Sequence, residues 1–159
     1  MSQADVSVKI LPEQYVAFAV CTGGYQNLSP RLNRLFGWVK EQGLRMVGAP
    51  GGRFPGTPDE AEQGKTEWEL YVPVPADTME RPPDAEQIGV KRIGAREAAV
   101  ALYIGPYARV RDGYPALMQW LESNAVTVAG PVEEWWLDDD DEVAEAELRT
   151  EIAYPIKRE

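Results

Sequence analysis

Glu69 and Glu151 are the residues of this sequence best placed to do chemistry. Each stands inside an otherwise apolar run, Trp68-Glu69-Leu70-Tyr71-Val72-Pro73-Val74 and Thr150-Glu151-Ile152-Ala153-Tyr154-Pro155-Ile156. Side chains alternate across a strand, so Leu70, Val72 and Val74 share one face while Glu69, Tyr71 and Pro73 share the other. Ile152, Tyr154 and Ile156 oppose Glu151 and Ala153 in the same way. If the aliphatic faces meet helices, both glutamates are left on a face lined by aromatic rings. A desolvated carboxylate there either keeps its proton or waits for a cation, whereas a strand glutamate on an open face is simply hydrated. Binding of a cation is one use of such acids. Acid and base catalysis by Glu69 and Glu151 in a hydrolase is the other.

The aromatic side chains form the second constellation, with five tryptophans, seven tyrosines and three phenylalanines. Tyr71, Tyr103 and Trp136 are the strand residues read as lining a ligand groove. Trp135 and Trp136 must point to opposite faces, one toward the helices and one toward the groove. Trp38 and Trp120 each follow a helical leucine by three residues. Tryptophans so placed commonly cover a core, and both are also candidates to stack on a ligand. Aromatic faces with a carboxylate are the usual recognition set for lipophilic cations. Tyr25 and Tyr107 stand where a strand turns into a helix, a placement that suits pinning the turn. Cys21 reads as a small buried hydrophobe. Ala49-Pro50-Gly51-Gly52 lacks the Gly-Lys-Ser/Thr of a phosphate loop, and the acidic run 138–142 lacks the spacing and glycine of a calcium loop. No metal and no cofactor are therefore expected.

The bulk composition removes further classes. There is no histidine, so Ser-His-Asp and Cys-His catalysis and a His-ligated haem are excluded. One cysteine allows no intramolecular disulfide. The net charge of -10 repels phosphate backbones and anionic lipid, so no direct nucleic-acid and no membrane partner is expected. No run approaches the roughly 20 apolar residues of a membrane span, and residues 1–5 are polar without a basic leader. The sequence reads as cytoplasmic. A protein partner or a homodimer is left open.

The elements that must position these residues occur twice. Sliding the sequence by 82 positions lays Val8-Lys9 on Val90-Lys91, Ala17 and Ala19 on Ala99 and Ala101, and Gly23 and Tyr25 on Gly105 and Tyr107. Leu35 and Trp38 fall on Leu117 and Trp120, Gly48 on Gly130, and Asp59-Glu60 on Asp141-Glu142. Glu69 and Pro73 fall on Glu151 and Pro155. The expected repeats run from about 5 to 75 and from about 87 to 157, joined by an exposed Pro-rich linker over 76–86.

In the first repeat the pattern predicts strands at 6–11 and 15–21, then a helix capped by Ser29 with Pro30 at its first position. Leu32, Leu35, Phe36 and Val39 form its apolar stripe, and Gly43 its C-terminal stop. Strands at 44–47 and 65–74 complete the unit. The second repeat predicts strands at 88–93 and 98–104 and a helix capped by Asp112 with the stripe Tyr114, Leu117, Met118 and Leu121. Strands at 126–129, 132–137 and 148–156 follow. The expected fold class is α+β, a single domain of two similar β-β-α-β-β units. Their curved antiparallel sheet would carry both helices on one side and a central ligand groove.

Gly105-Pro106-Tyr107, Leu117-Met118-Gln119-Trp120-Leu121, Val128-Ala129-Gly130-Pro131 and Glu147-Leu148-Arg149-Thr150-Glu151-Ile152-Ala153-Tyr154-Pro155-Ile156, in this order, resemble the GyrI-like effector-binding domain. That domain also ends multidrug-responsive transcription activators. The resemblance covers roughly residues 5–157. It implies a tandem-repeat α+β fold with an aromatic pocket for lipophilic, often cationic, small molecules, and Glu151 as the key ligand contact. Stand-alone members resemble hydrolases of cyclopropane-containing natural products, and Glu69 as an additional acid keeps that alternative open. A gyrase-modulating or regulator-binding role is the third. This chain departs in showing no DNA-binding helices, so the leading expectation is a stand-alone drug sensor or sequestering protein.

Overall fold

A computed structural model of the chain describes residues 5–56, 60, 63–139 and 141–158, with Arg158 described by its backbone alone. The strands are β1 (Val6–Leu11), β2 (Gln14–Cys21), β3 (Gly51–Phe54), β4 (Trp68–Val74), β5 (Ile88–Ile93), β6 (Arg96–Ile104), β7 (Val126–Val128), β8 (Val132–Trp136) and β9 (Arg149–Arg158). The longer α-helices among the described residues are α1 (Leu28–Glu41) and α2 (Tyr114–Ser123). No described helix is long and apolar enough to cross a membrane.

The chain forms two compact units. The middle unit runs Glu13–Gly94. The split unit joins the start of the chain, up to Pro12, to everything from Ala95 onward. The middle unit is an antiparallel sheet in the order β3-β4-β2-β5, with α1 packed on β4 and β2. The split unit is an antiparallel sheet in the order β1-β6-β9-β8, with β7 also paired to β9 and α2 packed on β6.

One numerical relation governs both sheets. In the middle unit Ala17 lies opposite Val72 on one side and Val90 on the other, and Arg53 lies opposite Glu69. Adding 82 to 17 and 72 gives 99 and 154, and subtracting it from 90 gives 8. Ala99 does lie opposite Tyr154 and Val8 in the split unit. Adding 82 to 53 and 69 gives Trp135 opposite Glu151, which is also observed. The first strand of each sequence repeat is exchanged: β1 pairs with β6 and β5 pairs with β2. The compact units are therefore cut one strand later than the repeats read from the sequence. Asp59, half of the Asp59–Asp141 match, lies outside the described residues, as does Asp140 of the acidic run.

The faces follow from alternation. Trp68, Leu70 and Val72 are fully buried on the α1 side, where the Trp68 indole N–H donates to the Gly23 carbonyl at 2.9 Å. Leu35, Trp38 and Val39 come down from α1. Burying each such side chain stabilises by roughly 1.5–3 kcal/mol. On the split unit Ala99, Ala101, Leu117 and Ile152 fill the layer between its own sheet and α2. The start of α2 comes so close that a Cβ on Gly113 would sit 2.8 Å from Tyr103 and 2.9 Å from Ile152.

Several local expectations are corrected. The residues 44–47 form no strand; Val47 makes one backbone bond to Pro73, and the strand beside β4 is Gly51–Phe54, where the pattern predicts none. Helix α1 begins at Leu28 behind Asn27, one residue before Ser29, and no side chain caps it. Gly113, not Asp112, precedes α2, and Asp112 instead pairs with Arg109 at 3.1 Å. Met118 of the expected stripe is 43% exposed. The end of α1 conforms: Gly43 has φ +71°, its N–H bonds to Lys40 and that of Leu44 to Val39, a Schellman stop that favours glycine. The linker is exposed but tied down, since Arg81 and Val90 exchange both backbone bonds along the outer edge of β5.

Candidate functional site

On the middle unit the face away from α1 carries Phe18 on β2, Glu69 and Tyr71 on β4, and Lys91 on β5. Phe18 lies opposite Tyr71 in the β2–β4 register, so their rings start from neighbouring positions on one face. Glu69 Oε1 accepts two bonds, from the Tyr71 hydroxyl at 2.5 Å and from Lys91 Nζ at 2.6 Å. The same ammonium lies 4.5 Å from the Phe18 ring centre and 5.4 Å from that of Tyr71. Arg53, opposite Glu69 on β3, places its guanidinium 5.8 Å from the Tyr71 ring. A cation held by one carboxylate and two rings is thus already built into this face.

The corresponding face of the split unit carries Lys9 on β1, Glu151 on β9, and Glu133 and Trp135 on β8. Lys9 Nζ reaches Glu151 Oε2 at 2.5 Å. Trp135 lies directly opposite Glu151, and its indole N–H donates to Glu133 Oε1 at 3.0 Å. Glu133 is fully buried and receives two bonds from the Arg96 guanidinium, at 2.6 and 3.0 Å. Arg96 is held in turn by the Pro12 carbonyl at 3.2 Å. The positions offset by 82 from Arg96 and Glu133 are Gln14 and Gly51, so this second ion pair has no counterpart in the middle unit. Nor do the rings: Val100 and Ala153 stand where Phe18 and Tyr71 do.

A third acid lies on the α2 side of the split unit. Glu134 receives the Tyr114 hydroxyl at 2.5 Å and the Trp136 indole N–H at 3.2 Å. Burial pushes its carboxyl above the ordinary carboxylate range, and the bonds from Tyr114 and Trp136 pull it only part of the way back. Burial likewise raises the Cys21 thiol, consistent with a packed, unreactive side chain.

The residues singled out by sequence are distributed as follows. Glu69 and Tyr71 share one face, as alternation requires, and Glu151 occupies the matching place in the split unit. Trp136 and Tyr103 do not join Glu151. Trp136 follows the parity of Glu134 toward α2, and Tyr103 lies under Gly113 with its hydroxyl on the Pro106 carbonyl at 3.0 Å. Trp135 is the tryptophan on the glutamate face. Trp38 belongs to the α1 layer, where its indole N–H donates to Asp84 at 3.1 Å beneath the Arg81 guanidinium. Trp120 is half-buried on α2. Tyr107 pins its turn through a bond to the Asp138 carbonyl, and Tyr25 packs edge-on against Phe54 and Trp68. A recess of about 330 Å³ on the α1 side of the middle unit is lined by Arg31, Arg34, Glu86 and Gln87. Its arginines are engaged, Arg34 with Glu41 and Glu86 and Arg31 with the Val20 carbonyl.

Sequence reasoning missed Glu133, Glu134, Arg96, Phe18 and the two lysines. For Lys9 and Lys91 a signal existed, since they match at the offset of 82. For Glu133 and Glu134 the signal was two adjacent acids followed by two tryptophans in one strand.

An α+β chain with antiparallel sheets and, among the described residues, helices packed on them shares its fold with several solved structures. The C-terminal domain of EcmrR superposes with a TM-score of 0.78 at 21% identity, covering 98% of this chain and 99% of that one. EcmrR in its DNA complex gives 0.82 at 21% identity over 98% of this chain, which spans 58% of that longer chain. SAV2435 bound to tetraphenylphosphonium gives 0.62 at 16% identity, covering 96% and 94%. A hydrolase from Listeria innocua gives 0.69 at 12% identity, covering 99% and 94%. No curated protein matches the sequence. The chain belongs to the GyrI-like small molecule binding domain family, which it matches over residues 4–157.

Proposed function

We propose that this protein binds lipophilic small molecules that are cationic or aromatic, as the effector-sensing or sequestering type of GyrI-like domain. The observation that carries this reading is the seat of Lys91: an ammonium between the Phe18 and Tyr71 rings and against Glu69. A face that holds one cation in this way has the chemistry to hold another. Glu69, Tyr71 and Phe18 are the contacts proposed in the middle unit, and Glu151 with Trp135 in the split unit. The shared offset of 82 in the strand registers supports descent of both from one duplicated unit. The tetraphenylphosphonium bound to SAV2435 supports a bulky, delocalised cation as the ligand type.

A hydrolase reading rests on the fold shared with the Listeria innocua structure. Glu69 and Glu151 each accept a lysine ammonium, an arrangement suited to holding charge more than to delivering a proton.

Titration with tetraphenylphosphonium, followed by tryptophan fluorescence and calorimetry, tests the reading. Glu69→Gln and Glu151→Gln should each weaken binding, the stronger effect reaching about tenfold, equivalent to ~1.4 kcal/mol. Unchanged affinity in both variants would remove the electrostatic basis of the reading.

A further inference from the structure

Both glutamates already hold a cation supplied by the chain itself. We propose that Lys91, and more weakly Lys9, is a built-in competitor for the ligand: a bulky cation enters by exchange, its charge replacing the ammonium at the glutamate. This deepens the binding reading above and rests on it.

The geometry of the middle unit favours exchange. Lys91 Nζ lies 4.5 Å from the Phe18 ring centre and 5.4 Å from that of Tyr71. Tyr71 has no exposed surface and Phe18 has 6%. The ammonium occupies the place against both rings and the Glu69 carboxylate, so a cation that takes this place does so as the ammonium leaves. Leaving is feasible, because the Lys91 side chain is 30% exposed and its flexible four-carbon stem can carry the charge to water without disturbing β5. A compact ammonium at 2.6 Å from Glu69 outcompetes weak or small cations. It yields to a large cation that adds apolar burial to its charge. Lysine thereby sets the ligand class: charge alone does not displace it, and neither does apolar surface alone.

The pair recurs at equivalent places. Lys91 lies opposite Val16 and Lys9 opposite Ala98, and 16 plus 82 is 98. A lone exposed ion pair carries little meaning. Two at one register position, joining residues 22 and 142 apart in sequence, point to a shared task. The units differ where Val100 and Ala153 replace Phe18 and Tyr71, so the caged ammonium is Lys91.

Tetraphenylphosphonium and tetraphenylborate have the same size and shape with opposite charge, and their affinities for the intact chain can be compared by calorimetry. Lys91→Met should tighten tetraphenylphosphonium about fivefold, the upper range for a partly exposed ion pair, and weaken tetraphenylborate. Lys91→Gln should act in the same sense, and Lys9→Met should change both ions less. Thermal melts verify that each variant is folded. If both ions shift in the same direction, or neither shifts, Lys91 is a packing residue and the exchange proposal is overturned while binding stands. If neither ion binds the wild type or any variant, the binding reading fails and takes the exchange with it.

Discussion

Replacing Arg96 by methionine should be among the most damaging single changes in this protein. Glu133 is fully buried, and its charge is balanced by the two bonds from Arg96, whose own side chain is only 13% exposed. Methionine fills much of the same volume but removes both charged donors, and the Trp135 indole at 3.0 Å supplies a neutral bond, not a charge. Breaking a buried ion pair from one side costs about 3–5 kcal/mol, because the remaining charge stays desolvated. For a chain of this size that corresponds to a fall in melting temperature of roughly 6–20 °C. The double variant Arg96→Met with Glu133→Leu removes both charges and should recover most of the loss. What remains is about 1 kcal/mol for the lost indole bond. Calorimetric melts of wild type, both single variants and the double variant complete the cycle. A loss below about 1 kcal/mol for Arg96→Met, or a double variant no better than the single, would refute the view that Arg96 compensates the buried carboxylate.

Gly43→Ala should destabilise by about 1 kcal/mol. Nothing lies within 4 Å of a Cβ there, so the whole effect comes from φ +71°, and urea denaturation reads it. Glu134→Gln should stabilise the protein increasingly as pH rises. The folded carboxyl titrates above its unfolded value of 4.5, so ionising it in the folded state costs stability from that pH upward, and the amide has no such term. Melts from pH 4 to 8 should show the gap between variant and wild type widening, and a constant gap would count against the burial of that charge.

The strands at Val6–Leu11 and Ile88–Ile93 were legible to the residue, because alternation and turn residues act locally. The parity of Glu69 and Tyr71 was legible for the same reason. Which strand pairs with which was not, since periodicity says nothing about partners, and the exchange of β1 and β5 follows from contacts far apart in the chain. Gly51–Phe54 was hidden because its two glycines have poor intrinsic strand preference, and pairing with β4 overrides it. Trp135 and Trp136 were distinguishable only as a pair, the choice between them depending on which face α2 covers. Glu133 and Glu134 were overlooked because acids in a strand are normally hydrated. Their donors, Arg96 and Tyr114, lie 37 and 20 residues away.

The exchanged first strands also bear on how the chain is made. β1 and β2 are separated only by Pro12 and Glu13, and β5 and β6 only by Gly94 and Ala95, spacings at which neighbouring strands ordinarily zip into hairpins. Neither does so. A nascent β1 must wait unpaired until β6 has left the ribosome some 90 residues later, so the earliest local pairing open to it is a wrong one. A half-length product would lack the strand that completes its sheet and would be left to borrow one from a neighbouring copy, a direct route to interlocked oligomers during synthesis.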